Sequence, residues 1–586
     1  MNQDLYNHGV VGTLSPNPAP VAWVRNSEWL AMPTVSPTEK KIVILFRVDP
    51  GTSNFAAFNI SATGGYTVDW GDGTSNSVAT GVQVNKQYDF AAVSATTTSM
   101  GYKQVLITIT PTIGTNNFTS INLYVKHSGT GISGYNNGHQ DVIISAPTCT
   151  TFVLGASSTA VPSFGHLERI QIIASALTSY SYIFGDFYAL ESYSITSSAT
   201  VTNLSYMFQN CGKLQSVGSL PYSTATTTSN MFYRCKALRS LGVSTITTAS
   251  TQASGMFSNC SSLVYIPPIT FTVSGVNCAS LFSLCTKLTN VPSINWAYVN
   301  DLSNAFSTCT ALTSIPPLNL PLVTTLANTF INCYNVLAIG DITSSSALTT
   351  LASTFSACYR LTSLPAISVT SNVNTIANMA INCFELTQVP AYDTSNVTSM
   401  GSAFQYCSLL SSIPVFNYTK CTNVSNMLNS CLALRKTGAI DFGTTNTNTI
   451  TLSSFVQCSN SFESGIEEIG PISIPSTATS LVATNMLLNG RAIRTMSLDC
   501  TRVIAPAGIT NMFSSASSLT SVILTGLKFG GITIAAALDQ AALVALFTSL
   551  GTASGAQTLT VSANPGWSLL SAGDKAIATG KGWTLA

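Results

Sequence analysis

One pair of residues, a phenylalanine three positions before a cysteine, recurs along most of this chain and fixes what it can fold into. In NAFSTCTALTSIPPLNL (304–320), Phe306 is followed by Cys309, Leu312, Ile315 and Pro316. Aligning on the phenylalanine gives Phe184, Phe208, Phe232, Phe257, Phe282, Phe306, Phe330, Phe355, Ala380, Phe404, Leu428, Phe455, Leu487 and Phe513. From Phe184 to Leu428 every step is 24 or 25 residues, and the later steps are 27, 32 and 26. Cysteines keep the same register at Cys211, Cys235, Cys260, Cys285, Cys309, Cys333, Cys358, Cys383, Cys407, Cys431 and Cys458. Chance does not produce fourteen ranks in one register, so each rank is one coil of a stack.

A sustained period of this length marks a solenoid of the leucine-rich-repeat kind. Segments such as VTSMGSAFQYC and VNDLSNAFSTC place Met or Leu four residues before Phe, which predicts a short helical turn with one apolar face. The Leu-x-x-Ile after the cysteine predicts a short strand in a narrow parallel sheet. Pro267, Pro292, Pro316, Pro365, Pro390 and Pro414 belong at strand ends, because a proline inside a ladder removes a hydrogen bond. One rank buries little alone, so stability is a sum over neighbours and the ends need caps. At ~4.8 Å per strand, fourteen ranks extend roughly 60–70 Å. Metal binding by the cysteines would want C-x-x-C pairs, and none occurs. Disulfides between parallel, inward side chains rarely reach the right torsion. Reduced cysteines acting as small buried hydrophobes are therefore expected.

Charged residues make up only 8% of the chain, against a usual share near ~25%. Ser, Thr and Asn fill the gap, and the net charge is +1. Bulk electrostatics therefore steers this chain to neither nucleic acid nor an anionic membrane. The start MNQDLYNHGVVG does not read as a secretory signal. The longest apolar run, ITIAAALDQAALVALF, is broken by Asp539 and Gln540. Synthesis in the cytoplasm as a soluble chain is the expectation.

The expected fold class is mostly β with short helical turns: about fourteen coils of 24–25 residues preceded by a β-sandwich. Residues 1–39 form a Pro-rich arm, extended or docked on a partner through Trp23, Trp29 and Leu30. Residues 40–127 form the β-domain, with KKIVILFRV (40–48) and YKQVLITIT (102–110) as alternating, β-branched strands. Between them, Gly71, Asp72 and Gly73 supply a tight turn after Asp69 and Trp70. Residues 128–180 are a transition and N-terminal cap, 181–525 the repeats, and 526–586 a C-terminal cap with a helix in ALVALFTSLG (542–551).

DTSNVTSMGSAFQYCSLLSSIPVF (393–416) and CTNVSNMLNSCLALRK (421–436) resemble the BspA-like leucine-rich repeat, D-T-S-N-V-T-x-M-x-x-M-F-x-x-C-x-x-L-x-x-L. The Y-x-V-D-W-G-D-G-T…Y-D-F series of residues 66–90 resembles the polycystic-kidney-disease-type (PKD) sandwich, whose motif is W-D-F-G-D-G…H-T-Y; the His before Tyr88 is missing. The whole order also resembles bacteriophage virion proteins with a W-L-x-M-P arm (Trp29 to Pro33), a V-D-W-G-D-G domain, repeats and a terminal K-G-W-T (Lys581 to Thr584). That resemblance implies a non-enzymatic virion protein, a tail fibre or similar appendage. Other virion proteins would hold its N-terminal region, and the solenoid would meet a host-surface glycan or protein. Fibres are commonly symmetric, which points to a homotrimer, although no coiled-coil heptads mark one. The alternatives are a bacterial surface adhesin of the BspA-like class and a particle-borne glycan depolymerase.

Catalytic constellations are not found. His8, His127, His139 and His166 all lie before the repeats, which removes a His-based triad or metal site from the coils. Asp301, Asp341, Glu385 and Asp393 lie on different ranks, and no spacing selects a pair. Glu463, Glu467 and Glu468 read as a solvated loop. GTGISG (129–134) matches G-x-G-x-x-G but is followed by no helix pattern and no acidic partner. Asp69 and Asp72 are the residues that would hold Ca²⁺, with turn-forming hydrogen bonds the preferred role. No cofactor, metal, nucleic acid or membrane is expected.

Overall fold

The computed structural model describes residues 23–51, 54–123, 125, 127, 138–154, 165–368, 370–457 and 465–586. Residues 1–22 of the arm with His8, the GTGISG run, Cys458 and Glu463 lie outside the described residues. The fold is mostly β: a β-solenoid of about 16 turns over residues 141–585, preceded by an N-terminal β-sheet domain. The chain divides into two compact units, residues 1–272 with 285–294, and residues 273–284 with 295–586.

The first unit begins with two sheets. Its strands are β1 (Lys41–Val48), β2 (Asn54–Ala62), β3 (Tyr66–Asp69), β4 (Ser75–Val78), β5 (Gln83–Tyr88), β6 (Lys103–Pro111), β7 (Phe118–Asn122), β8 (His139–Ser145), β9 (Thr151–Val153), β10 (Arg169–Ile173) and β11 (Ser192–Thr196). One sheet has the order β11-β10-β8-β1-β6-β3-β4 and the other β5-β2-β7-β9. Side chains from the two sheets meet in one core. Phe46 of β1 lies 5.4 Å from Tyr88 of β5, and Phe58 of β2 stacks on Trp70 at 5.8 Å. His139 of β8 stands edge-on to Phe46 and Phe58.

β1 is buried on both faces rather than alternating. Its inner face meets the second sheet. Across its outer face runs the arm, where Val35 and Met32 pack on Val43, Ile143 and Leu106. The run IVILF is therefore apolar throughout, as a doubly covered central strand requires. β1 pairs antiparallel with β6 and β8, whereas β8 pairs parallel with β10, and β10 with β11. The sandwich sheet thus grows directly into the parallel sheet of the first coils.

In the coils, the segment around the phenylalanine is not the expected helical turn. It is a row of linked turns in which two residues, two before and two after the phenylalanine, take positive φ. Tyr206 (φ 57) and Asn210 (φ 60) flank Phe208, and Asn328 (φ 56) and Asn332 (φ 62) flank Phe330. The backbone alternates its partners. The N–H groups of Leu204, Tyr206, Phe208 and Asn210 donate to the carbonyls of Thr227, Ser229, Met231 and Tyr233 in the next coil. Those of Met207, Gln209 and Cys211 close local turns on Leu204, Tyr206 and Phe208. A helix would bind every N–H within the coil; this row keeps half of them for its neighbour. Asparagine recurs at the positive-φ positions because it tolerates left-handed backbone better than most residues.

The second unit repeats the pattern. Its short strands pair parallel, Ser314–Ile315 with Ala338–Ile339 and Leu318–Leu320 with Ile342–Ser344. Pro316 sits just past the first strand, at its end as expected. One rank is out by one residue. Leu428 N–H donates to the carbonyl of Phe455, as Phe404 N–H does to Met427. Phe455 therefore occupies the position before the phenylalanine slot, and Val456 fills the slot. Beyond the repeats come the helices α1 (Gln540–Ser549) and α2 (Ala572–Thr579), the first as predicted. Before, between and after them, Ile532–Thr533, Gln557–Thr560 and Trp583–Leu585 form a three-stranded parallel sheet, so this segment is itself coiled. Asp539 caps α1, and Ser571 with Asp574 forms a capping box on α2.

Candidate binding surface of the coils

The phenylalanine slot is a stacked column. In the first unit Phe184, Phe208, Phe232 and Phe257 follow one another at 5.2, 5.5 and 5.3 Å between ring centroids. In the second, Phe282, Phe306, Phe330 and Phe355 follow at 5.4, 5.5 and 6.1 Å. These spacings are close to the strand repeat. All these rings are fully buried.

Beside this column the cysteines do more than fill space. Each thiol donates to the carbonyl of the residue in the phenylalanine slot one coil back. Cys211 reaches Phe184 O at 3.2 Å, Cys235 Phe208 O at 3.0 Å, Cys260 Phe232 O at 3.1 Å and Cys285 Phe257 O at 3.1 Å. Cys309, Cys333, Cys358 and Cys383 repeat this on Phe282, Phe306, Phe330 and Phe355, and Cys407 on Ala380. The bond is to backbone, so it survives where Ala380 replaces the ring. All cysteines among the described residues are free and buried. Burial pushes up the thiols of Cys211, Cys235, Cys260, Cys285, Cys358, Cys383 and Cys407, and that of Cys333 to about 12, so these are poor nucleophiles. Sequence reasoning expected the burial and missed the hydrogen bond.

Polar columns run along the outside. Thr324 Oγ donates to Asn300 O at 3.2 Å, Thr349 Oγ to Thr324 O at 2.9 Å and Thr398 Oγ to Asn374 O at 3.0 Å. A second column runs through Thr362, Thr387 and Ser411. Hydroxyls thus bind the stack lengthwise and leave a neutral polar surface. Aromatic rows interrupt it. Tyr334 and Tyr359 stack at 4.7 Å, and Phe384 follows at 5.1 Å, with Tyr359 37% and Phe384 41% exposed. Tyr182 and Tyr206 stack at 4.4 Å. The recurring position just after the cysteine was the available signal for the first row.

Asp301 and Asp393 serve turns, and Asp341 bonds the next coil. Asp301 accepts from Ser303 N–H, Asp393 from Ser395 N–H and Asp341 from Ala366 N–H. Glu467 and Glu468, expected in a solvated loop, pair instead with Arg435 at 3.4 Å and Lys436 at 2.7 Å across neighbouring coils. Exposed pairs of this kind contribute about 0–1 kcal/mol.

In the β-domain, the turn residues Asp69, Trp70, Gly71, Asp72 and Gly73 are held by their own neighbourhood. Asp69 accepts from Gly71 N–H at 3.0 Å, and Asp72 from Thr74 N–H at 3.0 Å and Thr74 Oγ at 2.6 Å. Lys86 pairs with Asp72 at 2.6 Å. Burial pushes the Asp72 carboxyl up, but the bonds from Lys86 and Thr74 outweigh it and hold it below the usual carboxylate range. Trp70 Nε1 donates to Asn76 at 2.6 Å, and Tyr88 OH to Trp70 O at 2.8 Å. Gly71 takes φ 72 with Leu106 backbone 2.6 Å from where a Cβ would stand, so only glycine fits. Among the described residues, no group of three or more His, Cys, Asp or Glu is placed to hold a metal ion.

The described part of the arm, residues 23–39, packs on the chain's own β-domain. Trp29 is 6% exposed and donates through Nε1 to Tyr102 OH at 3.1 Å. Leu30 N–H donates to Gln104 at 2.9 Å while its side chain stays 43% exposed. Trp23 lies 6.1 Å from Trp29 and under Arg169. Arg25 and Arg169 grip the two oxygens of the fully buried Asp141 at 3.3 and 2.9 Å. The arm is thus clamped to β8 and β10 by a shared carboxylate that position in the sequence did not reveal.

Comparison with known families finds two matches. The BspA type leucine rich repeat region, in six copies, matches residues 162–264, and a Mycoplasma protein of unknown function, DUF285, matches residues 349–468. No curated protein matches. Among solved structures, the chain is similar to a leucine-rich repeat protein from Bacteroides ovatus, with 14% identity, 64% of this chain and 93% of that one covered, and a TM-score of 0.30. A leucine-rich repeat protein from Eubacterium ventriosum shows 16% identity over 59% and 94%, with a TM-score of 0.30. Neither comparison links the chain to a phage tail fibre. Residues 162–264 thus match BspA-type leucine-rich repeats, in a chain whose coils are preceded by an N-terminal β-sheet domain.

Proposed function

We propose that this chain is a surface-displayed recognition protein of the BspA-like adhesin class, and that its coils bind another molecule without catalysis. The match of the BspA-type repeat to residues 162–264 carries this reading, and repeats of this kind are typically non-catalytic. The outer face supports it. Neutral hydroxyl columns broken by partly exposed aromatic rows suit a neutral ligand, a glycan or a protein surface, better than a charged one. The β-domain and its clamped arm serve as the base on which the coils are carried.

A virion appendage is the second reading, and it keeps only the order of parts and the short runs Trp29 to Pro33 and Lys581 to Thr584. Immunogold electron microscopy with antibody to the repeats separates the two. Label on cell envelopes is expected. Label confined to virus particles would overturn the adhesin reading in favour of the virion one. Hydrolysis of envelope polysaccharide by the purified chain would overturn the non-catalytic part of both.

A further inference from the structure

Every turn row is expected to give its outward N–H groups to the row stacked on it, because buried or half-buried backbone donors are almost always paired. The row Ala483–Asn489 obeys this: Asn485, Leu487 and Asn489 donate to the carbonyls of Thr510, Met512 and Ser514. The row that covers it has the same conformation. Asn511 and Ser515 take φ 53 and 63, matching Asn485 and Asn489 at 54 and 61. Its local turns also close, with Met512, Ser514 and Ala516 donating to Ile509, Asn511 and Phe513. Its outward N–H groups, those of the buried Phe513 and of Asn511 and Ser515 at the exposed rim, have no hydrogen-bond partner among the described residues. The segment that stands where the next row would run is committed elsewhere: Gly531 and Ile534 donate to Thr558 and Thr560 of the following strand. Between this row and Gly531, Thr533 and Ala535 lies a cleft of about 280 Å³.

We propose that this cleft is a docking slot for the main chain of a partner peptide laid down as one more turn row. Three donors on alternate residues run along a line rather than converging on a point. They match carbonyls that recur on alternate residues, as in every stacked row, and do not match a single anion. No charged side chain lines the cleft, so the peptide that fits is neutral. Main-chain bonds would supply affinity, as they do when a strand adds to a sheet edge. No residue of the aromatic rows lines this slot, so its failure leaves the adhesin reading standing.

The test uses the full chain and a synthetic peptide of residues 323–332, VTTLANTFIN. Within the fold, the carbonyls of Ala327, Thr329 and Ile331 in this segment accept from Asn304, Phe306 and Thr308. The measurement is amide hydrogen exchange by mass spectrometry with increasing peptide. Saturable slowing of at least about tenfold at residues 511–515, abolished by Ala535→Trp and by Thr533→Arg, is the expected result. Unchanged exchange at these amides with excess peptide would overturn the proposal. So would equal slowing by inorganic phosphate, which would make the row an anion site, or peptide binding that neither variant weakens. Exchange over the rest of the chain reports whether each variant folds, and two variants on different residues guard against losing one.

Discussion

The β-domain and the coils bury aromatic residues by different rules. In the β-domain each large residue has its own surroundings: Trp70 stacks on Phe58, Tyr88 reaches back to the Trp70 carbonyl, and His139 fills a gap between two phenylalanines. In the coils one contact is copied many times, with ring on ring and thiol on carbonyl. The first design concentrates its free energy in a few irreplaceable contacts that form together. The second spreads it over nearest-neighbour interfaces. A lesion should therefore be global in the β-domain and local in the coils.

The largest effect that probes this contrast is a ring deletion in the middle of a column. Phe306→Ala is expected to destabilise by about 3–5 kcal/mol. Hydrogen exchange should show the loss in the coils adjoining Phe306, with β1 and β8 unchanged. Faster exchange over the whole chain would mean that the coils unfold as one cooperative body with the β-domain.

Next comes acid. Burial holds the His139 imidazole down at about 3, against an ordinary value of 6.5. Below pH 6.5 the unfolded chain takes up a proton there that the folded chain refuses. Stability is thus full above that pH and falls as the pH drops, by on the order of 3 kcal/mol at pH 4. Burial holds His166, at the start of the coils, down as well, so the share due to His139 is isolated by replacing it. Thermal melts of wild type and His139→Gln at pH 7 and pH 4 should differ in slope, the variant being flatter. Parallel slopes would remove His139 as the cause.

Smaller effects sharpen the description of a single coil. Cys333→Ala deletes a thiol donor and leaves a small void, for an expected loss of about 1–2 kcal/mol. Titration of the denatured, unreduced protein should count 15 thiols; a markedly lower count would mean that the cysteine column is oxidised. At the other sign, Thr308 is a β-branched residue held at φ 61. Thr308→Asn should gain about 1 kcal/mol by relieving left-handed strain. A neutral result in denaturant titration would mean that the row holds threonine there without penalty.

The same contrast explains what could be read in advance. Repetition multiplies a weak signal, so the coil period and the core pair of Phe and Cys were legible from residue spacing. The turn rows were half legible. Asparagines two residues either side of Phe330, at 328 and 332, mark left-handed backbone, but Met or Leu four residues before Phe imitates a helix face. Phe455 misled by one position because an aromatic fell next to the slot that Val456 fills, in a rank whose spacing had already lengthened. In the β-domain each contact occurs once and has no second copy to confirm it. Nothing in IVILF says that its outer face is covered by the arm, and nothing in the sequence ties Arg25 to Asp141 across 116 residues.

The shared sheet at the start of the coils has a mechanical consequence. Because β8 is bonded to β1 along one edge and to β10 along the other, no flexible tether separates the sandwich from the first coils, and the clamped arm splints the same joint. Bending there would have to shear a ladder of backbone bonds all at once. The base and the first coils must therefore swing as one lever. Whatever anchors the β-domain also sets the angle at which those coils are presented.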